Sequence, residues 1–249
     1  MTDRLDATLD FTGKRVLVIG GSSGIGNGIA HGFRSRGAEA HVTGTRPDEG
    51  DYLDNEDSDF TDIRYHQLDV TDRSAADRLA DRLGAMDVVV CCQGAVRYGR
   101  QEFEREGWDM VIDVNLNSVM DCARAFHPGL AENSGSLIIV SSTGAFHAMI
   151  GNPAYGASKA GAASLVGSLA QAWAKDGIRV NGIAPGFVAT KMTKVTTENE
   201  KRRQGVIERV PLRRMGSPAD MAGAALFLAS PLASYVTGQS IIVDGGLSL

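Results

Sequence analysis

The sequence predicts an α/β fold: a doubly wound parallel sheet of seven strands, flanked by helices on both faces. Three observations carry that expectation. Short β-rich apolar runs alternate with stretches long enough for helices. The runs are close to continuously apolar, as strands covered on both faces are. A glycine-rich turn stands between the first run and the first helical stretch.

In chain order, strands are expected at Arg15 to Gly20, Glu39 to Gly44, Ile63 to Leu68, Asp87 to Cys92, Ser136 to Ser142, Ile178 to Ala184 and Ser240 to Gly246. Between them, Ser74 to Leu83 is amphipathic and stops at Gly84. A long helix opens near Pro153 and closes at Gly177, with proline early and glycine at the end. Ser217 and Pro218 supply the cap and first turn of the last helix. No Pro/Ser/Gly linker and no internal repeat divides the 249 residues, so one domain over 1–249 is expected. The polar, charged stretch 190–215 lies between strand six and the last helix, where a substrate lid is expected; the alternative is a short surface helix pair with no role.

Hydrophobic residues make up 43% of the chain and charged residues 22%, an ordinary soluble globular composition. A formal net charge of -5 with no long basic block gives nucleic-acid binding no electrostatic support. Three cysteines, an odd number, fit a reducing compartment. Cys91 and Cys92 are adjacent in a strand and point to opposite faces, so they form no metal clamp together, and no metal is expected. The N-terminus lacks an apolar signal region and no run reaches membrane-spanning length, so a cytoplasmic location without a membrane partner is expected.

The first turn reads VLVIGGSSGIGNGIA, with glycines at Gly20, Gly24 and Gly26. Glycine turns tightly and brings backbone N–H groups close to a ligand. The helix N-terminus that follows favours an anion. Strand, glycine turn and helix make the Rossmann-type dinucleotide-binding arrangement, with the phosphates expected on Gly20, Ser22, Ser23, Gly24, Ile25 and Gly26. No Gly-Lys-Ser/Thr follows, which excludes a P-loop. Further on, YGASK places Tyr155 and Lys159 four residues apart, on one face of a helix. A cation beside a phenol favours its ionised form, so a lowered tyrosine pKa is expected there.

Together these features resemble the short-chain dehydrogenase/reductase family, in its 3-oxoacyl-carrier-protein reductase-like branch, over nearly the whole chain. LDVTD, DVNLNS, IVSST, IAPGFVAT and VTGQSIIVDGG match in order. The resemblance implies an NAD(P)-dependent oxidoreductase that moves a hydride between a nicotinamide cofactor and a ketone or secondary alcohol. It implies Tyr155 as general acid/base and Lys159 as its partner, which also holds the nicotinamide ribose. Ser142 orients the substrate oxygen, and Asn115 positions a water linking Lys159 to solvent; the alternative for Asn115 is a buried brace. Asp69 and Val70 border the adenine, Gln93 and Gly94 lie by the cofactor, and Pro185, Gly186, Val188 and Thr190 line its nicotinamide side. His147 is read as a loop residue, with substrate contact as the alternative.

Two departures stand out. Ile19 replaces the family's usual Thr, with an expected loss of a hydrogen bond under the turn. Cys91-Cys92-Gln93-Gly94 replaces NNAG, removing amides that brace the sheet and placing a bulky Gln93 near the cofactor. At the end of strand two Gly44 takes the place of an acid, and Thr45 and Arg46 follow, which suits a 2′-phosphate. NADP is therefore expected and NAD is possible, since Ser23 stands where many NADP-binding relatives carry a base. The family implies a homotetramer or homodimer built through two long central helices. One rival is a dinucleotide-binding sensor or scaffold without turnover. The other is an enoyl reductase, a branch that usually spaces its Tyr and Lys more widely.

Overall fold

All seven expected strands are present in the computed structural model, which describes residues 9–52, 54, 55 and 57–249. They are β1 (Arg15–Ile19), β2 (Glu39–Gly44), β3 (Arg64–Gln67), β4 (Val88–Cys91), β5 (Ser136–Val140), β6 (Arg179–Pro185) and β7 (Ser240–Val243). All pair in parallel, in the order β3-β2-β1-β4-β5-β6-β7. The order reverses between β1 and β4. In an open α/β sheet that switch point opens a crevice outside the carboxyl ends of the strands.

The helices are α1 (Gly24–Arg34), α2 (Ala75–Leu83), α3 (Arg105–Ile112), α4 (Ser118–Glu132), α5 (Pro153–Trp173), α6 (Lys194–Thr197), α7 (Glu200–Arg209) and α8 (Pro218–Ala229). They cover both faces. Val16 and Val18 of β1 point into a core with Ile29 and Phe33 of α1 and Ala225 of α8. Leu17 and Ile19, one residue out of phase, enter the opposite core with Leu79 of α2, Phe126 of α4 and Val166 of α5. This is why the run is apolar without alternation. Each fully buried Val, Leu or Ile there contributes about 1.5–3 kcal/mol.

Against expectation β5 stops two residues early at Val140 and β7 three early at Val243, where the chain turns into loops at the carboxyl ends; β3 and β4 are shorter by one residue at each end, and β6 runs one residue further, to Pro185. The long helix ends at Trp173, followed by a 3-10 turn at Ala174–Asp176 and by Gly177 in the left-handed region. The stretch 190–215 is largely helical: a 3-10 turn at Lys191–Thr193, then α6 and α7. Between α3 and α4 the helix widens into a π turn at Asp113–Asn117, a feature that accommodates one extra residue and is frequent at functional sites. Asn115 lies in it.

At the sheet edge, His41 Nδ1 faces His66 Nε2 at 2.9 Å, and His41 Nε2 faces Glu39 Oε1 at 3.0 Å. Burial, with lesser contributions from His41 and nearby arginines, pulls His66 down to about 4 from 6.5. Between those values the unfolded chain binds more protons than the folded one, so stability is lost as pH falls through that window. A melting-temperature drop of about 2–4 °C, about 1 kcal/mol at this size, is expected once screening of this half-buried group is allowed for. Calorimetry of His66→Gln at matched pH values should show a shallower fall; an unchanged slope removes His66 from the account.

Candidate active site

The glycine turn is built by close approach. A Cβ on Gly20 would lie 2.7 Å from the main-chain N and Cα of Gln93, and one on Gly26 would lie 2.4 Å from the Gly20 carbonyl oxygen. Gly20 also has φ +74°, which an L side chain rarely adopts. Helix α1 starts at Gly24 with no side-chain cap from Ser23 and no acid in its first turn. Gly24 N donates to the Asp57 carbonyl at 3.0 Å, and the next N–H groups, those of Ile25 and Gly26, are left to an anion. The turn is tied to the neighbouring strand: Thr43 Oγ1 of β2 accepts from Gly20 N at 3.0 Å. Ile19 is fully buried in the core.

At the other side of the turn, β2 ends on Gly44. A Cβ there would meet the Tyr52 hydroxyl at 2.4 Å and Ser22 Oγ at 2.8 Å, so no acidic side chain fits without displacing them. Tyr52 comes from a 3-10 turn at Glu49–Tyr52. Its hydroxyl accepts from Arg46 N at 3.1 Å, and the Arg46 guanidinium sits 4.7 Å from the centre of its ring. The Tyr65 hydroxyl donates to the Arg46 carbonyl, and Gln67 Nε2 donates to the Thr45 carbonyl at 3.2 Å. Arg46 is therefore held on both main-chain groups and by a cation–π contact.

At the reactive end, α5 opens on Pro153, so Tyr155 lies in its first turn and Lys159 one turn later. Lys159 Nζ donates to the Val140 carbonyl at 3.0 Å and stands 5.9 Å from the centre of the Tyr155 ring. Ser141 and Ser142 separate as strand alternation requires. Ser141 Oγ donates to the Lys159 carbonyl at 2.8 Å and braces α5, while Ser142 lines the cleft and accepts from Gly144 N at 3.0 Å.

The titration of Tyr155 differs from the expectation. Burial pushes the phenol up, a hydrogen bond with Ser142 pulls it down, and Tyr98, Cys92 and Glu102 add to the upward push. Burial likewise pulls the Lys159 ammonium down to about 8. In the protein alone, desolvation outweighs the Ser142 hydrogen bond, and the phenol keeps its proton.

Asn115 is fully buried behind the cleft. Its Oδ1 accepts from Ala95 N at 2.7 Å; its Nδ2 donates to the Ala95 carbonyl at 2.9 Å and to Ser158 Oγ at 3.1 Å. These bonds are those of a brace. Even so, a Cβ built on Gly94 would lie 3.6 Å from Lys159 Nζ and 3.7 Å from Asn115 Oδ1, so both polar groups border one small space. Gln93 turns its side chain away from the cleft, against expectation, and donates to Ser118 Oγ of α4 at 3.0 Å. That bond reaches a helix and not the sheet, the Gln93 Oε1 is buried without a hydrogen-bond partner among the described residues, and only the Gln93 main chain approaches the turn.

One cleft of about 700 Å³ is lined by Gly20, Ser22, Ser23, Gly24, Ile25, Gly26, Thr45, Arg46, Asp69, Val70, Gln93, Gly94, Ser142, Tyr155, Lys159, Pro185, Gly186, Val188 and Thr190. Of the expected catalytic and cofactor residues, Asn115 alone is absent from that wall; His147 is exposed and lies outside it too. Met192, inside the 190–215 stretch expected as a lid, lines it and accepts from the Tyr98 hydroxyl at 3.0 Å, and Tyr52 and Met110 line it without having been anticipated. No spacing rule points to them, because each reaches the cleft from a separate segment. A nicotinamide dinucleotide fits this donor set: an uncapped helix N-terminus for its phosphates, a restrained guanidinium at one end and buried proton-carrying groups at the other.

A family model described as enoyl-(acyl carrier protein) reductase matches residues 19–248. A 2-dehydro-3-deoxy-D-gluconate 5-dehydrogenase of Pseudoalteromonas atlantica is 37% identical over 242 residues, covering 94% of this chain and 95% of that protein. A 3-oxoacyl-(acyl-carrier-protein) reductase FabG of Chlamydia pneumoniae is 35% identical over 251 residues, covering 98% of this chain and 100% of that protein. The crystal structure of a gluconate 5-dehydrogenase from Burkholderia cenocepacia in complex with NADP and tartrate superimposes with a TM-score of 0.86 at 28% identity, covering 97% of each chain.

Proposed function

The chain belongs to the short-chain dehydrogenase/reductase family, and on that premise we propose that Tyr155 is the general acid/base of a hydride transfer between a nicotinamide dinucleotide and a ketone or secondary alcohol. The protein is an NAD(P)-dependent oxidoreductase of the FabG-like branch. One cleft carries the reading: the uncapped N-terminus of α1 lies at one end, and Ser142, Tyr155 and Lys159 line the other.

The dinucleotide, when bound, supplies or accepts the hydride and in its oxidised form brings a positive charge into the cleft. In reduction the Tyr155 hydroxyl donates its proton to the substrate oxygen, and in oxidation it accepts one. Ser142 hydrogen-bonds the same oxygen and holds it in line. Lys159 places an ammonium near the phenol and favours its ionised form, opposing the upward push of burial. Asn115 holds the loop at Ala95 and faces the space beside Lys159, which supports its role in positioning a water there. The four-residue spacing of Tyr155 and Lys159 supports carbonyl reduction over C=C reduction.

NADP is the preferred dinucleotide in this reading. Arg46 is held over Tyr52, the acid that would repel a 2′-phosphate has no room at Gly44, and a solved relative binds NADP. Residues 190–215 form the lid of a single domain spanning 1–249; the Tyr98–Met192 bond across the mouth supports it.

The substrate is a small carbonyl compound or alcohol. Among the described residues no helix is long and apolar enough to cross a membrane, and the three free thiols support a reducing cytoplasmic setting. Ala157, Ala160, Ser164 and Gly167 present small residues on the exposed side of α5, where the helix of a second copy can approach closely. A homotetramer or homodimer follows, and sedimentation at micromolar concentration tests it.

A panel of ketones and alcohols with NADP(H) and NAD(H), followed at the nicotinamide absorbance, tests the activity. Turnover of at least one pair is expected. Tight dinucleotide binding with no turnover across the panel would make the protein a sensor.

A further inference from the structure

Glu102 is a charged side chain with no exposure at all, and the mechanism above gives it no task. It sits in the 3-10 turn Gln101–Phe103, which follows Arg100 in the left-handed region. Its Oε1 accepts from Arg97 N at 3.0 Å and from Asn152 Nδ2 at 3.0 Å; its Oε2 accepts from the main-chain N of Tyr155 at 2.9 Å. All three partners are N–H donors, which suits a carboxylate rather than a carboxylic acid.

Helix α5 has no other anionic cap. Its N-cap Asn152 makes no capping hydrogen bond, its first residue is Pro153, and its first turn contains no acid. A helix N-terminus leaves its first N–H groups without partners and favours negative charge. Here the capping oxygen arrives from a segment 53 residues away and lands on the tyrosine's own amide. The same carboxylate ties down Arg97 in the loop leading to Tyr98, so one buried group joins the mouth of the cleft to the helix that carries Tyr155.

We propose that Glu102 is a positioning residue for the reaction: its carboxylate anchors the Tyr155 main chain and so fixes the point from which the phenol transfers its proton. The inference rests on Tyr155 being the acid/base. A small misplacement of a reacting group costs rate more than binding, so the loss falls on kcat. A second effect follows from charge. The groups facing the phenol are Lys159 on its own helix, Cys92 after β4, Tyr98 in the next loop, the Ser142 hydroxyl and Glu102. Removing the anion among them makes the phenol easier to ionise.

Glu102→Gln must turn an NH2 toward at least one of the three N–H donors, whereas Glu102→Asp keeps the charge and withdraws the oxygen from Tyr155. Steady-state kinetics and pH profiles of alcohol oxidation test both variants. Both should lose kcat about tenfold, with KM for the alcohol and Kd for NADP within about threefold. The limb on which rate rises with pH should move to lower pH in the Gln variant and stay in place in the Asp variant. Leu130→Ala, buried at the far end of α4, supplies an equally destabilised control that keeps its kcat. Wild-type kcat in either folded variant, or the same kcat loss in the Leu130 control, overturns the proposal. Should Glu102→Gln not fold, Glu102→Asp carries the kcat test alone. Full activity in Tyr155→Phe overturns the acid/base assignment itself, whatever the Glu102 variants do.

Discussion

Tyr155→Phe lowers kcat by about two to four orders of magnitude in both directions, the usual contribution of a positioned acid/base, while Kd for NADP stays within about threefold. The side chain keeps its ring and its place in the first turn of α5, and loses only the proton carrier. Stopped-flow hydride transfer and fluorescence titration of NADPH measure the two quantities on one preparation. The pH behaviour of the wild type adds a signature. Because burial holds the phenol protonated, carbonyl reduction should not fall as pH rises through neutrality, and alcohol oxidation should gain rate as the phenol begins to ionise. The Phe variant should lose that gain. A Phe variant with more than a tenth of wild-type kcat would transfer the acid/base role to another group, with Ser142 the next candidate in the cleft.

Arg46→Ala weakens NADP binding by about one to two orders of magnitude and leaves NAD binding within about threefold. Hydrogen bonds to a charged group contribute about 1.5–3 kcal/mol, and each 1.4 kcal/mol is about tenfold in Kd. The loss should sit near the top of that range, because the guanidinium is already restrained over Tyr52 before any ligand arrives and little entropy remains to be lost on binding. Titration with 2′-AMP and 5′-AMP isolates the effect from the nicotinamide end: only the 2′-phosphate should lose affinity. Equal weakening of both ligands would mean that Arg46 supports the loop and not the phosphate. Tyr52→Ala should reproduce part of the loss, since it removes both the ring under the guanidinium and the hydroxyl that bonds Arg46 N. If NADP affinity in that variant equals wild type, the platform has no role in selectivity.

The comparison between chain and fold turns on distance. Strand runs, the glycine turn and the Tyr155–Lys159 pair depend on residues a few positions apart. Side-chain period, φ freedom and helical spacing act at that range, so the sheet, the glycine turn and the placing of Tyr155 and Lys159 one turn apart on a helix could be read from the amino acids alone. The resemblance to a family supplied Ser142, Asp69, Val70, Pro185, Gly186, Val188 and Thr190.

What stayed hidden depends on groups far apart in the chain. Thr43 of the neighbouring strand accepts from Gly20 N in the turn. Gln93 turns away from the cleft and reaches α4. The Tyr52 hydroxyl fills the space beside Gly44, and Glu102 caps a helix that begins 51 residues later. The upward shift of Tyr155 belongs to the same class. Spacing placed an ammonium one turn from the phenol, but the balance between that cation and desolvation is set by how much protein surrounds both, and burial exists only once the sheet and its helices have closed around them.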